Sequence, residues 1–95
     1  MSNSEIAYRV IVEGRVTGVC FRWAALDYAK ELSSLRGYIR NVSHDKVEAV
    51  IQGSETRVGL MLNWLRHGPS SARVDNIQIK RQAVSADLEA FTVKN

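Results

Sequence analysis

The sequence predicts an α+β domain with a split β-α-β order, and three observations carry that reading. Apolar residues alternate with polar ones over residues 6–13, they recur at three-four spacing from Phe21 to Leu32 and again from Val58 to Leu65, and alternation returns between and after those stretches. The resulting order is strand, helix, strand, strand, helix, strand, with a short last strand near the C-terminus. Two helices on one face of an antiparallel sheet, a ferredoxin-like sandwich, is the architecture that this order favours. At 95 residues the chain has room for one domain, 1–95, with one modest core.

In Ile6-Ala7-Tyr8-Arg9-Val10-Ile11-Val12-Glu13, strict alternation sets Ile6, Tyr8, Val10 and Val12 on one face of a first strand. From Phe21 the apolar positions shift to Ala24, Ala25, Tyr28, Ala29 and Leu32, one stripe of a helix that stops near Ser33-Ser34. After Gly37, Tyr38-Ile39-Arg40-Asn41-Val42 reads as a second strand. A polar break at Ser43-His44-Asp45 leads into a third, with Val47, Ala49 and Ile51 inward. That hairpin lacks the Asn-Gly or Asp-Gly pair of tight turns, so it relies on the tolerance of His and Asp for positive φ. Ser54 is placed to cap a second helix carrying Val58, Met61, Leu62 and Leu65, and Gly68-Pro69 ends it. A fourth strand runs from about Arg73 to Lys80 with Ile77 and Ile79 buried, and Ala90 to Val93 forms the last.

Composition narrows the class. The single cysteine, Cys20, cannot form an intramolecular bridge, and Met1-Ser2-Asn3-Ser4 has neither the basic cluster nor the apolar run of a signal peptide, so a cytoplasmic location is expected. No apolar stretch approaches the roughly 20 residues that span a bilayer. Thirteen Lys and Arg against ten Asp and Glu give a formal charge of +3, which favours small anions, and the basic residues are scattered rather than gathered for a nucleic acid. The short edge strands and the lack of a marked apolar run point to a monomer.

The segment Gly14-Arg15-Val16-Thr17-Gly18-Val19-Cys20-Phe21-Arg22 places two glycines, a run of amides and an arginine between a strand and a helix. Amides in such a turn can converge on one anion, a helix start adds partial positive charge, and an arginine supplies a planar fork for anionic oxygens. The same spacing also fits an ordinary tight connection. It is neither a nucleotide P-loop, since no Lys-Ser/Thr pair follows the second glycine, nor a dinucleotide fingerprint. A right-handed crossover makes the first and second strands parallel, so that their C-terminal ends open at one edge and bring the 14–20 loop beside Asn41. If the third strand lies between them, the two are about 10 Å apart, a gap that a long arginine can bridge.

Gly14-x-Val16-x-Gly18-Val19-x-Phe21-Arg22 followed by Gly37-Tyr38-Ile39-Arg40-Asn41 closely resembles the two signatures of the acylphosphatases. The resemblance extends through Gly68-Pro69-Ser70-Ser71-Ala72-Arg73-Val74-Asp75 and so covers nearly the whole chain. It implies a small cytosolic enzyme, usually monomeric and without cofactor, that hydrolyses acyl phosphates to a carboxylate and inorganic phosphate. By the same resemblance Arg22 and Asn41 are catalytic, and Gly14, Arg15, Val16, Thr17, Gly18, Val19 and Cys20 form the phosphate-binding loop. Thr17 stands where the family usually has Gln, and His44-Asp45 where it usually has Asp-Gly.

This chemistry suits these residues. A loose phosphoryl-transfer transition state asks for positioning and charge stabilisation, and a carboxylate leaves without being protonated. Asn41 has a carbonyl to accept from water and an NH₂ to donate, and it stays neutral beside the phosphate. Cys20 has no base beside it and reads as part of the loop rather than as a nucleophile. His44 falls in a polar turn and His67 at a helix end, where a cation is favourable; two separated histidines and one cysteine do not make a metal site. Trp64 borders the core stripe, and Trp23 shields the rim of the pocket. Two rivals share the fold. An RNA-binding module would carry exposed aromatics on its third strand, which Lys46-Val47-Glu48-Ala49-Val50-Ile51-Gln52 lacks. A non-catalytic, anion-binding regulatory domain would have no need of both Arg22 and Asn41.

Overall fold

A computed structural model describes residues 4–18 and 20–94. Its sheet is organised around the strand Lys46–Ser54, which is buried on both faces from Val47 to Gly53. In chain order the elements are β1 (Glu5–Arg15), α1 (Phe21–Leu32), β2 (Arg36–Ser43), β3 (Lys46–Ser54), α2 (Glu55–His67), β4 (Arg73–Gln82) and β5 (Thr92–Val93). The strand order across the sheet is β4-β1-β3-β2-β5. Strand β3 therefore lies between β1 and β2 and antiparallel to both, in registers that place Val10 opposite Ala49 and Ile39 opposite Ala49 from the other side. Among the described residues no helix is long and apolar enough to cross a membrane.

One face of the sheet carries the core. Val10 and Val12 of β1, Ile39 of β2 and Val47, Ala49 and Ile51 of β3 pack with Phe21, Ala25 and Ala29 of α1 and with Val58, Met61 and Leu65 of α2. Full burial of such a side chain stabilises by roughly 1.5–3 kcal/mol. The helices hold each other through aromatic contacts: Trp64 meets Phe21 edge-on at 5.4 Å and stacks on Tyr28 at 5.9 Å. Ser54 caps α2, its hydroxyl accepting from the Arg57 amide at 3.3 Å. At the other end of α2, Gly68 has φ +67°, and a Cβ there would lie 2.3 Å from Phe21 Cε2. The absence of that side chain lets the first ring of α1 pack over the end of α2.

The opposite face is held by polar side chains. The Glu48 carboxylate is 4% exposed and accepts from the guanidinium groups of both Arg9 and Arg40, the latter at 2.6 Å. Gln52 is fully buried. Its Nε2 donates to Glu5 Oε1 at 3.2 Å and to the Ser85 carbonyl at 2.9 Å, while its Oε1 accepts from the Ser85 amide at 2.9 Å. Burying polar groups at this depth is tolerated because each finds a partner.

Two details differ from expectation. Neither His44 nor Asp45 takes positive φ, because a bulge between Asn41 and Ser43 inserts Val42 as an extra residue and changes the geometry that the hairpin turn must have. The first four strands form antiparallel ladders, but β5 pairs parallel to β2, so the sheet as a whole is mixed. Residues 83–91 link opposite edges of the sheet. Strand β4 ends level with the start of β2, so a strand that enters at that edge must run in the direction of β2.

Burial raises the Glu48 carboxyl, but hydrogen bonds and charge from Arg40 and Arg9 outweigh it and hold the group below the usual carboxylate range. A depressed folded value stabilises the protein above the unfolded value of about 4.3, and this contribution is lost as pH falls through the lower folded value. In urea titrations between pH 6 and pH 2.5, Glu48→Gln should flatten the acid-side loss of stability relative to the parent chain. An unchanged acid limb would assign that loss to other groups.

Candidate active site

Helix α1 begins without the usual satisfaction of its first turn. Its N-cap, Cys20, makes no side-chain cap and no acidic residue lies in the first turn, whereas α2 has both Ser54 and Glu55. The partial positive charge of the α1 start is therefore available to an anion. Gly18 at φ +70° and Cys20 at φ +61° are both left-handed, an expensive conformation for cysteine that turns amides away from helical and strand directions. Cys20 is exposed. Of the nine residues Gly14 to Arg22 read as one motif, Val19 lies outside the described residues.

A cleft of about 260 Å³ opens here, lined by Val16, Thr17, Gly18, Cys20, Phe21, Arg22 and Trp23. Val16 and Phe21 are buried and fix the two ends of the loop to the core, and Trp23, 56% exposed, stands at the rim. The other side of the loop is tied to the β2–β3 turn. The Thr17 hydroxyl donates to the His44 carbonyl, and the Gly14 amide donates to the Asp45 carbonyl at 2.9 Å. Within the turn, Ser43 Oγ donates to Asp45 Oδ1 at 2.9 Å, and that bond is the main cause holding the Asp45 carboxyl below its ordinary value.

Arg22 Nη1 donates to the Lys94 carbonyl at 3.3 Å, and the Lys94 amide donates to the Ile39 carbonyl at 2.8 Å. Ile39 lies two residues before Asn41, and the two share the helix-covered face of β2 by alternation. The guanidinium at the mouth of the cleft is thus coupled through residue 94 to the strand that carries Asn41. Lys94 is itself anchored, its Nζ lying 4.1 Å from the centroid of the Tyr38 ring. Asn41 is exposed at the end of β2 and does not line the 260 Å³ cleft.

Gly14 and Arg15 belong to β1 rather than to the loop, paired with Val74 and Arg73 of β4. Gly14 has φ +139°, and a Cβ on it would lie 2.2 Å from the Arg73 carbonyl, so no other residue fits this approach. Both residues line a second and larger cleft, about 570 Å³, which runs across the end of β1 from Arg73 and Asp75 of β4 to His44 and Asp45 of the β2–β3 turn, with Glu13 and Thr17 between. Thr17 lines both clefts. Lys94, Arg73, Asp75 and the 570 Å³ cleft were not singled out from sequence as parts of a site, because each joins it through strand neighbours and not through a local pattern.

These features define a ferredoxin-like domain with an uncapped helix start and an arginine at the mouth of a glycine-bearing loop. The family model for acylphosphatases matches residues 8–93. The acylphosphatase of Burkholderia lata is 41% identical over 96 residues, covering 96% of this chain and 97% of that protein, and that of Anaeromyxobacter dehalogenans is 37% identical over 86 residues, 90% and 91%. The solved structure of an acylphosphatase from Coxiella burnetii is similar with a TM-score of 0.86 at 36% identity, over 95% of this chain and 93% of that one. This chain belongs to the acylphosphatase family, hydrolases acting on acyl phosphates.

The tether from Thr17 to His44 gives a direct test of loop order. Thr17→Val removes a hydrogen bond that contributes about 1 kcal/mol. Amide exchange in the 16–18 segment should accelerate roughly fivefold while exchange in the β3 core stays unchanged. Equal protection in both proteins would show that the loop is held without this bond.

Proposed function

We propose that this chain cleaves the carboxyl-phosphate bond with the phosphoryl oxygens held by loop amides between Val16 and Cys20 and by the Arg22 guanidinium, and with Asn41 orienting the attacking water. Gly14 and Arg15 shape this cradle from the end of β1. The observation that supports the reading is the pair of hydrogen bonds from Arg22 to the Lys94 carbonyl and from the Lys94 amide to Ile39, two residues before Asn41 on β2.

In the reaction a water oxygen forms a bond to phosphorus while the bond to the acyl oxygen breaks. The carboxylate leaves with the bonding pair, and the proton of water passes to the phosphate product or to solvent. Charge on the equatorial oxygens is met by main-chain N–H groups and by a guanidinium that cannot lose its proton. The leaving carboxylate is a weak base, so no general acid is required and no metal or cofactor enters the scheme. The working form is a monomer in the cytoplasm that acts on small acyl phosphates, with neither a nucleic acid nor a membrane as partner.

Benzoyl phosphate turnover, with and without a chelator, tests the activity and its independence of metal. Arg22→Ala should lose phosphate inhibition and lower kcat/KM by roughly a thousandfold, and Arg22→Lys should fail to restore it, because a point charge does not reproduce the fork. Asn41→Ala should lower kcat roughly a hundredfold while inorganic phosphate still inhibits. Equal loss of phosphate inhibition in the Arg22→Ala and Asn41→Ala variants would refute the division of roles. A chain ending at Val93 removes the carbonyl that holds Arg22, so its inhibition constant for phosphate should rise about fivefold with little change in Tm.

A further inference from the structure

Trp23 has no packing task that the fold explains. It stands two residues after Phe21, about 200° around the helix, and so on the side of α1 away from the core that Phe21 and Ala25 enter. At 56% exposed it is the most exposed large apolar residue among the described residues. Trp64 shows what a structural indole does in this protein, meeting Phe21 edge-on and stacking on Tyr28. Among the described residues Trp23 makes neither a ring contact nor a hydrogen bond.

The indole has a place at the loop instead. In a helix the Cα–Cβ bond leans toward the N-terminus, so that a side chain covers the turn before its own Cα. For Trp23 that turn is the start of α1, where Cys20 takes a left-handed backbone and no side chain caps the helix. Trp23 thus forms one wall of the 260 Å³ cleft, and Gly18 and Arg22 form others. Val16 and Phe21 also border this cleft, but each is 1% exposed and leaves almost no surface to touch. Among the described residues Trp23 is therefore the one broad apolar surface that a ligand in the cleft meets. At about 30 Å³ per water the cleft holds roughly nine waters, of which a phosphoryl group displaces about two, and the remainder is room for a ring.

We propose that Trp23 contacts the acyl part of the substrate and selects flat aromatic acyl groups, whose ring stacks on the indole. The inference rests on the reaction proposed above. One bridging oxygen joins phosphorus to the acyl carbon, so a phosphoryl group held by the loop amides and Arg22 leaves its acyl part in the same cleft or at its mouth, where Trp23 stands. Two aromatic rings in offset contact gain more than the area they remove from water. An acetyl group is too small to cover the indole, and a saturated ring covers it without the aromatic pairing.

The test compares acetyl, cyclohexanecarbonyl and benzoyl phosphates, which offer no ring, a puckered ring and a flat ring. Each kcat/KM is divided by the spontaneous hydrolysis rate of the same compound, which removes differences in leaving-group strength. For the parent chain we expect a preference for benzoyl of about tenfold over acetyl and about threefold over cyclohexanecarbonyl phosphate. Trp23→Ala should abolish both preferences through KM, and Trp23→Phe should keep most of them, while acetyl phosphate turnover and inhibition by inorganic phosphate stay within about twofold in both variants. Preferences unchanged in Trp23→Ala, an equal loss on all three compounds, or a parent chain that handles the two rings alike overturns the role of Trp23 and leaves the proposed reaction standing. Failure of the parent chain to hydrolyse any of the three, with no inhibition by phosphate, overturns both.

Discussion

The placement of β3 between β1 and β2 is the constraint on which the rest of the structure depends. Pairing with β3 on both sides forces β1 and β2 to run the same way, and their C-terminal ends then share one rim of the sheet. The loop into α1 and the end of β2 become neighbours for this reason alone. Burial of β3 on both faces makes the arrangement hard to change, because a slip of one residue would send Val47, Ala49 and Ile51 to the polar side and Glu48 and Gln52 into the core.

Charge and backbone serve different tasks on the two faces. Away from the helices, the buried carboxylate of Glu48 joins β1 and β2 across β3 through Arg9 and Arg40, a clamp between strands that do not touch. At the rim, the arrangement is left incomplete: α1 starts without a side-chain cap, and Cys20 accepts a left-handed backbone. Local rules are broken at the point where an anion would satisfy them. Such departures are expected where stability has been exchanged for a binding surface.

Much of this was legible in the residues. Alternation in 6–13 and 47–51 and three-four spacing in 21–32 and 58–65 mark the side chains that meet between sheet and helices, and the capping role of Ser54 and the stop at Gly68 follow from side-chain chemistry. That the loop after β1 and the end of β2 open at one edge of the sheet could be reached because crossover handedness converts an element order into a rim. Other features leave no periodic trace. A two-residue strand such as Thr92–Val93 is too short to show a period, so its parallel pairing and the part of Lys94 in holding Arg22 emerge only in three dimensions. The hairpin turn was read by residue preference alone, and the bulge at Val42 overrode it. Gly14 and Arg15 look like loop residues because glycine usually marks a turn, yet here it admits the close passage of β4.

The contact between Arg22 and the carbonyl of residue 94 joins positions 72 apart in the chain. β1 and β4 pair across similar separations, Ala7 with Gln82, so what sets this contact apart is that it waits for residues 83–91 to carry the chain to the opposite edge. The sheet and its helices can thus assemble while the arginine still swings freely, and the arginine acquires its orientation only when the final segment has crossed to the far edge. During refolding, orientation of this guanidinium would therefore trail recovery of compactness, with the last few residues acting as the timer.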